Sequence, residues 1–520
     1  MKKLSVSLLA MLCAICLALP GCASGKAPVN APASQAPAVQ GESSAAAPVA
    51  DAKPFVTLRF AFPAGNGGEQ RDQALVQAAI SAYTKERLNA DVILNPLDWS
   101  VAGERIPLMV QSGEDVDIVF MPDWMGYYGY AKSGAILPLD DLLAEYGQGI
   151  LSTLPESLIE GPKYNGVLYG IACNKDISFT GGLFLTKALV DKHGFDVNSI
   201  KQVNQLEPWL KTIKDNEPGI TPMFFGTGNL DWLGLPTEES KDEGYVFDKG
   251  AGVGFNNVTE KFVPYYETVF AQSYFKLIYD WKQKGYINED AGLNQTDNAA
   301  EIKAGRAWTL HSSSQPGQIE TWSILAGQPM TLVKGRPAYV TNSATCGALV
   351  ALTNANKDPA RSIEFLNLLY TDPYIENLCL WGIEGTNYIK EADGRISLPP
   401  GAETWNDNGY NPGTSWEYGN QLTSYVTTES EADQWEKLEQ FNKTEMVPAA
   451  DLGWSFDGTA VQDELDACNA INSEYSSILK NGMDDAEQTL ATINKRLHDA
   501  GLDKILAEMQ KQYDEWLAVK

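Results

Sequence analysis

Histidine is scarce in this 520-residue chain. There are three, His193, His311 and His498, too scattered to suggest a zinc site. Positive charge is also short. The 39 Lys and Arg face 67 Asp and Glu, for a formal charge of −28. A body this acidic repels phosphate backbones, which argues against a nucleic-acid partner. Cysteine is sparse, with seven residues. Cys13 and Cys16 form a C-x-x-C match inside an apolar N-terminal run, where it has no redox meaning. Beyond Cys22, the remaining Cys173, Cys346, Cys379 and Cys468 are widely spaced in apolar surroundings. They read as small buried thiols, with a disulfide as the alternative in an exported chain. Catalytic signatures are missing too: no G-x-S-x-G, no Walker loop, no H-E-x-x-H. The glycines of Gly250–Phe255 lack G-x-G-x-x-G spacing. Carboxylates are too numerous to nominate a glycosidase pair. Neither a cofactor nor a metal is expected.

What is present begins at the N-terminus. Met1-Lys2-Lys3 precedes an uncharged apolar run, Leu4 to Pro20. That is the layout of a secretory signal, and the run is short for a membrane span. Leu19-Pro20-Gly21-Cys22 resembles the lipobox of bacterial lipoproteins. The resemblance implies a signal peptide over residues 1–21, cleavage before Cys22 and a diacylglyceryl thioether on its sulfur. Residues 22–54 are mostly Ala, Pro, Ser and Gly. Such a segment has little to bury and cannot offset its own ordering entropy, so it reads as a disordered tether.

The chain, 44% hydrophobic overall, is long enough for about three average domains. Phe55–Phe62 and Asp91–Leu94 have strand patterns, as does Val116–Phe120. Gln70–Leu88 reads as an amphipathic helix with Leu75, Ala79 and Tyr83 among its apolar positions, and Arg105–Gln111 as a second helix. This β-α-β-α-β order predicts a parallel, doubly wound α/β sheet with ligand loops at the carboxyl ends of its strands, at 63–69 and 121–124.

Several ordered motifs then carry a family resemblance: Ser112–Phe120, Gly134–Asp140, Tyr164–Gly170, Leu183–Lys187, Ala304–Ala307 and Gly347–Leu352 with the helix Asp358–Tyr370. In this order they resemble the family 1 extracellular solute-binding lipoproteins of ABC importers, to which maltose-binding protein is distantly similar. Trp381–Gly385, Trp416–Gln421, Gly453–Asp457 and Ala500–Lys504 narrow the resemblance to the DUF3502 (LipO-like) branch. Trp308 departs from the pattern, where the family usually has a smaller apolar residue.

The resemblance implies a two-lobed type II periplasmic-binding-protein (Venus-flytrap) fold with extra C-terminal helices. Lobe one would be 55–172 with part of 347–395, lobe two 173–346, and 396–520 a DUF3502-like region packing on the lobes. The crossings would contain Cys173, Asn174, Cys346 and Gly347, with the Gly181-Gly182 pair close by. Expected ligand contacts are Glu69, Asp123, Trp124, Asp176, Trp232, His311, Trp381 and Glu384, whereas Trp281, Trp435 and Trp516 read as packing. The implied function is capture of a solute, an oligosaccharide, by hinge closure and delivery to ABC permease subunits. The receptor would be a monomer, held to the outer face of the cell membrane by its lipid alone. Two other readings stand beside it: the same fold binding a cationic or quaternary-ammonium solute or peptide, and a surface carbohydrate-active enzyme.

Overall fold

A computed structural model of the chain describes residues 53–65, 68–177, 181–226, 233–294 and 296–520. It divides into Met1–Lys53 and Pro54–Lys520, and every element below lies in the second unit. Cys22, the signal segment and Trp232 lie outside the described residues. Among the described residues, no helix is long and apolar enough to cross a membrane.

Strand β1 (Val56–Ala64) pairs in parallel with β2 (Ala90–Asp98) on one side and β3 (Ile118–Phe120) on the other. Helices α1 (Gln73–Leu88) and α2 (Trp99–Ser112) make the connections. The sheet is completed in the order β2-β1-β3-(Leu349–Leu352)-β4, where β4 is Gly170–Ala172. It is mixed rather than wholly parallel, because Leu349–Leu352 runs antiparallel to both of its neighbours. The cause is topological: β4 leaves toward the second sheet, and Leu349–Leu352 brings the chain back from it.

Two helix expectations are corrected. The buried residues of α1 are Gln73, Val76, Ile80 and Thr84, while Leu75 is exposed. Starting at Gln73 sets a 3.6-residue stripe that leaves Leu75 outside. Helix α2 starts at Trp99, six residues before Arg105, because Asp98 Oδ1 accepts from Ser100 N at 2.8 Å and caps it there.

The second sheet is built around β5 (Gly181–Thr186), flanked antiparallel by Met330–Lys334 and Thr309–Ser313. Its alternating side chains enter two cores. Leu183 and Leu185 join Trp281, Trp308 and Phe255 on one face, and Phe184 joins Phe224, Leu310 and Met330 on the other. Gly182 is a packing glycine, since a Cβ there would stand 2.7 Å from Leu332 and Ser314. Residues 396–520 attach to both lobes. Tyr410 and Tyr418 are part of the first core, while Trp454, Leu490 and Tyr513 are part of the second. A third passage between lobes is a parallel bridge of Ala338–Val340 with Met446–Pro448. An ion pair also spans the lobes, with Lys132 Nζ 2.8 Å from Asp457 Oδ1. The four cysteines beyond Cys22 are buried free thiols.

Two acids lie wholly inside. Glu376 accepts from Asn420 N at 3.1 Å, and burial holds its carboxyl well above the usual range. Both carboxyl oxygens of Glu417 lack a hydrogen-bond partner among the described residues, and burial pushes this group up to about 9. Near neutral pH Glu417 is therefore an uncharged acid.

Tyr513, fully buried against Phe255, Phe262 and Trp454, tests whether the C-terminal helix belongs to the lobe-two core. Tyr513→Ala is expected to cost about 3 kcal/mol in urea unfolding; an unchanged midpoint would show the helix to be dispensable. Glu417 has a raised folded-state value, so its favourable contribution is complete below its unfolded pKa and is lost as pH rises toward about 9. Glu417→Gln should accordingly raise the melting temperature more at pH 8 than at pH 5, and an equal shift at both would contradict this.

Candidate functional site

Strand β3 ends at the fully buried Phe120, and Pro122 keeps the chain extended into a single 3-10 turn, Asp123–Met125. Gly126, at φ 96°, closes that turn. Asp123 Oδ1 accepts from the backbone N–H of Trp124 at 2.8 Å, and the Ser343 side chain beside the carboxyl favours its charged form. Burial raises its carboxyl above the ordinary aspartate value. The turn presents the Trp124 ring outward, 53% exposed.

Trp124 is not alone. Trp99, at the start of α2, lies 6.1 Å from it with a 28° interplanar angle. Trp416 lies 5.8 Å from Trp99 at 11°. Phe120 braces both ends of this row, 5.9 Å from Trp124 and 5.9 Å edge-on to Trp416. Trp416 reaches the row because its neighbour but one, Tyr418, points into the core against Phe60 and Phe62. The result is a wall of three near-parallel indoles at the carboxyl end of the lobe-one sheet, with one end at the passage into lobe two: Trp124 Nε1–H donates to Gly347 O at 3.0 Å.

Across that passage, Asp176 Oδ2 accepts from Gln315 Nε2 at 2.9 Å, and Lys175 Nζ lies 3.4 Å from Asp176 Oδ1. Gln315 follows the strand Thr309–Ser313, which carries His311. His311 is half-buried, its ring 5.8 Å from Phe225. His311 thus belongs to the lobe-two side and Asp123 and Trp124 to the lobe-one side, while Asp176, next to Ile177 of the lobe-one core, meets lobe two through Gln315. Glu69 is exposed in the loop after β1 and lines a cavity of about 610 Å³ with Arg71, Glu403 and Asp407. Trp381 packs at 5.2 Å and 63° on Trp405, and Glu384 is exposed in the following turn. Cys173, Asn174 and Cys346 are bonded into lobe one. Cys173 N donates to Ala348 O at 3.1 Å and Asn174 N to Gly419 O at 3.0 Å, and Cys346 Sγ lies 3.2 Å from Tyr128 Oη. Among the described residues, no group of three or more His, Cys, Asp or Glu could hold a metal ion.

Sequence reasoning missed Trp99 and Trp416 as wall residues. Asp98-Trp99-Ser100 is a readable cap signature, and Trp416 stands just after Pro412-Gly413, a loop signal.

Known proteins share this architecture. The model for "Bacterial extracellular solute-binding protein" matches residues 66–374, and that for the domain of unknown function DUF3502 matches 451–518. A carbohydrate ABC transporter substrate-binding protein of Streptococcus pneumoniae is 25% identical over 481 residues, covering 90% of this chain and 92% of that protein. Among solved structures, the N-glycan transport solute binding protein NgtS of S. pneumoniae superposes with a TM-score of 0.76 at 22% identity, over 90% of this chain and 99% of that one. Its complex with Man5GlcNAc gives 0.65 over the same shares at 22% identity. The fold is the two-lobed type II periplasmic-binding fold, and the chain belongs to the bacterial extracellular solute-binding protein family.

Proposed function

We propose that this chain is a receptor that closes its two lobes around an oligosaccharide and passes it, chemically unchanged, to an ABC permease. The observation that carries the reading is the indole wall of Trp99, Trp124 and Trp416 at the mouth of the interlobe passage. Pyranose rings offer flat C–H faces, and aromatic side chains cover these with little loss of conformational freedom. The rings lie at 11° and 28° to one another instead of converging on a point. That arrangement suits a flat guest better than a cage around a quaternary ammonium would. Asp123, Asp176, His311 and Glu69 supply acceptors and donors for hydroxyls. Trp232, outside the described residues, is kept as a ligand contact on its sequence context alone, and Trp381 and Glu384 form a separate peripheral contact. The named relatives include carbohydrate binders, which supports the same ligand class.

In this reading Cys22 carries the lipid and residues 23–54 hold a monomeric receptor off the outer face of the membrane. Bending is taken up at the passages near Asn174 and Gly347, close to the ligand.

A thermal-shift screen against a glycan panel that includes Man5GlcNAc and kestose tests the binding role, because a ligand of the native state raises apparent stability. One glycan class should shift the melt. Trp124→Ala should weaken that glycan at least tenfold, about 1.4 kcal/mol, and Trp232→Ala should weaken it in the same direction. If both variants bind normally, the site is elsewhere. Cys22→Ser should move the protein from the membrane fraction to the medium, and retention in the membrane would refute the anchor.

A further inference from the structure

The loop after β1 reaches past the indole wall. Gly65 N donates to Pro412 O at 2.8 Å, on the segment that leads to Trp416. A Cβ at Gly68 would stand 3.1 Å from the backbone nitrogen of Asp98, the residue before Trp99. The same loop then gives Glu69, Gln70 and Arg71 to the cavity of about 610 Å³, whose opposite lip comes from residues 401–409. That volume falls in the range of about 300–1,000 Å³ usual for small-molecule sites. The loop therefore joins the cavity to the Trp99 and Trp416 end of the wall, the end away from Gly347.

The two lips are fixed to each other. Asp72 N donates to Gly409 O at 2.9 Å, and Arg71 Nη2 to Asn408 O at 3.2 Å. Asn387, fully buried, donates to Asp72 Oδ2 at 3.0 Å, and Asn408 Nδ2 donates to Asn387 O at 2.8 Å. Trp405, in the second lip, packs on Trp381. Tyr410 and Trp381 tie this side to the lobe-one core. Within that frame the lining groups are open to a guest. Among the described residues, the side chains of Glu69, Glu403 and Asn406 make no hydrogen bond or ion pair. Arg71 is already matched by Asp72 at 3.0 Å. The carboxylates of Glu69, Glu403 and Asp407 thus dominate the cavity's charge. Ionised carboxylates accept hydrogen bonds and donate none, so they suit hydroxyl groups and repel anions.

We propose that this cavity is a second subsite, which takes an uncharged hexose unit of a glycan long enough to cover the wall and reach beyond it. The inference rests on the binding role proposed above and narrows its substrate class to extended neutral glycans. Hexose hydroxyls donate to Glu69 and Glu403 and pair with the Asn406 amide, whereas a uronic acid meets like charge. Both lips belong to lobe one, so a unit bound here adds affinity equally with the lobes open or closed.

The test compares a short and a long neutral glycan, Man1GlcNAc and Man5GlcNAc, by calorimetry on the full mature chain. Wild type should bind Man5GlcNAc at least tenfold more tightly. Glu403 is exposed, so Glu403→Ala should fold normally. It should weaken Man5GlcNAc about tenfold, the low end for one hydrogen bond to a charged group, and leave Man1GlcNAc within about twofold. Trp124→Ala should weaken both glycans. Oxidising the primary alcohols of Man5GlcNAc to carboxylates should cost wild type more affinity than it costs Glu403→Ala. Equal affinity of wild type for the two glycans overturns the subsite alone. So does a Glu403→Ala variant that keeps the full gain for Man5GlcNAc or loses both glycans equally. Oxidised Man5GlcNAc bound as tightly as its parent overturns the preference for an uncharged unit. If wild type binds neither glycan, the binding reading falls and takes the subsite with it.

Discussion

The chain passes between two separately closed hydrophobic cores after Ile177, again at 341–348, and a third time where Ala338–Val340 meets Met446–Pro448. Close-packed cores deform little, so a change of shape concentrates in the connections between them. The same constraint explains the one irregularity of the first sheet. A strand returning from the other lobe enters from the opposite end, and Leu349–Leu352 is therefore antiparallel between β3 and β4. It also explains why the C-terminal region divides, with Tyr418 completing one core and Tyr513 the other.

The indole wall depends on this arrangement at second hand. Phe120 is the last residue of a central strand, fully buried, and the rings of Trp124 and Trp416 both rest on it. Trp416 arrives from nearly three hundred residues away because Tyr418 is anchored between Phe60 and Phe62. Glu417, between them in sequence, is buried with no hydrogen-bond partner among the described residues, and desolvation favours its protonated form. The aromatic row consequently rests on a buried, close-packed backing.

The chain is acidic overall, and three near-parallel indoles lie at the carboxyl end of the lobe-one sheet. The negative charge favours solubility and opposes non-specific adhesion to anionic polymers. The interlobe pair of Lys132 with Asp457 adds an electrostatic contact between the halves. Both side chains are about half exposed, so salt screens the pair and it contributes little to stability by itself.

Local signals in the chain were sufficient for the class of fold and the order of its elements. Alternation over Phe55–Phe62 and the motifs from Ser112 to Tyr370 depend on period and spacing, which are properties of neighbouring residues. Asp123 and Trp124 were legible for the same reason, lying just after a readable strand. The partnership of Trp99 with Trp416, the neutrality of Glu417 and the bond from Trp124 to Gly347 were decided only by tertiary structure. Each depends on groups tens to hundreds of residues apart, brought within a few ångströms by the packing of two cores, and no window of sequence contains both partners.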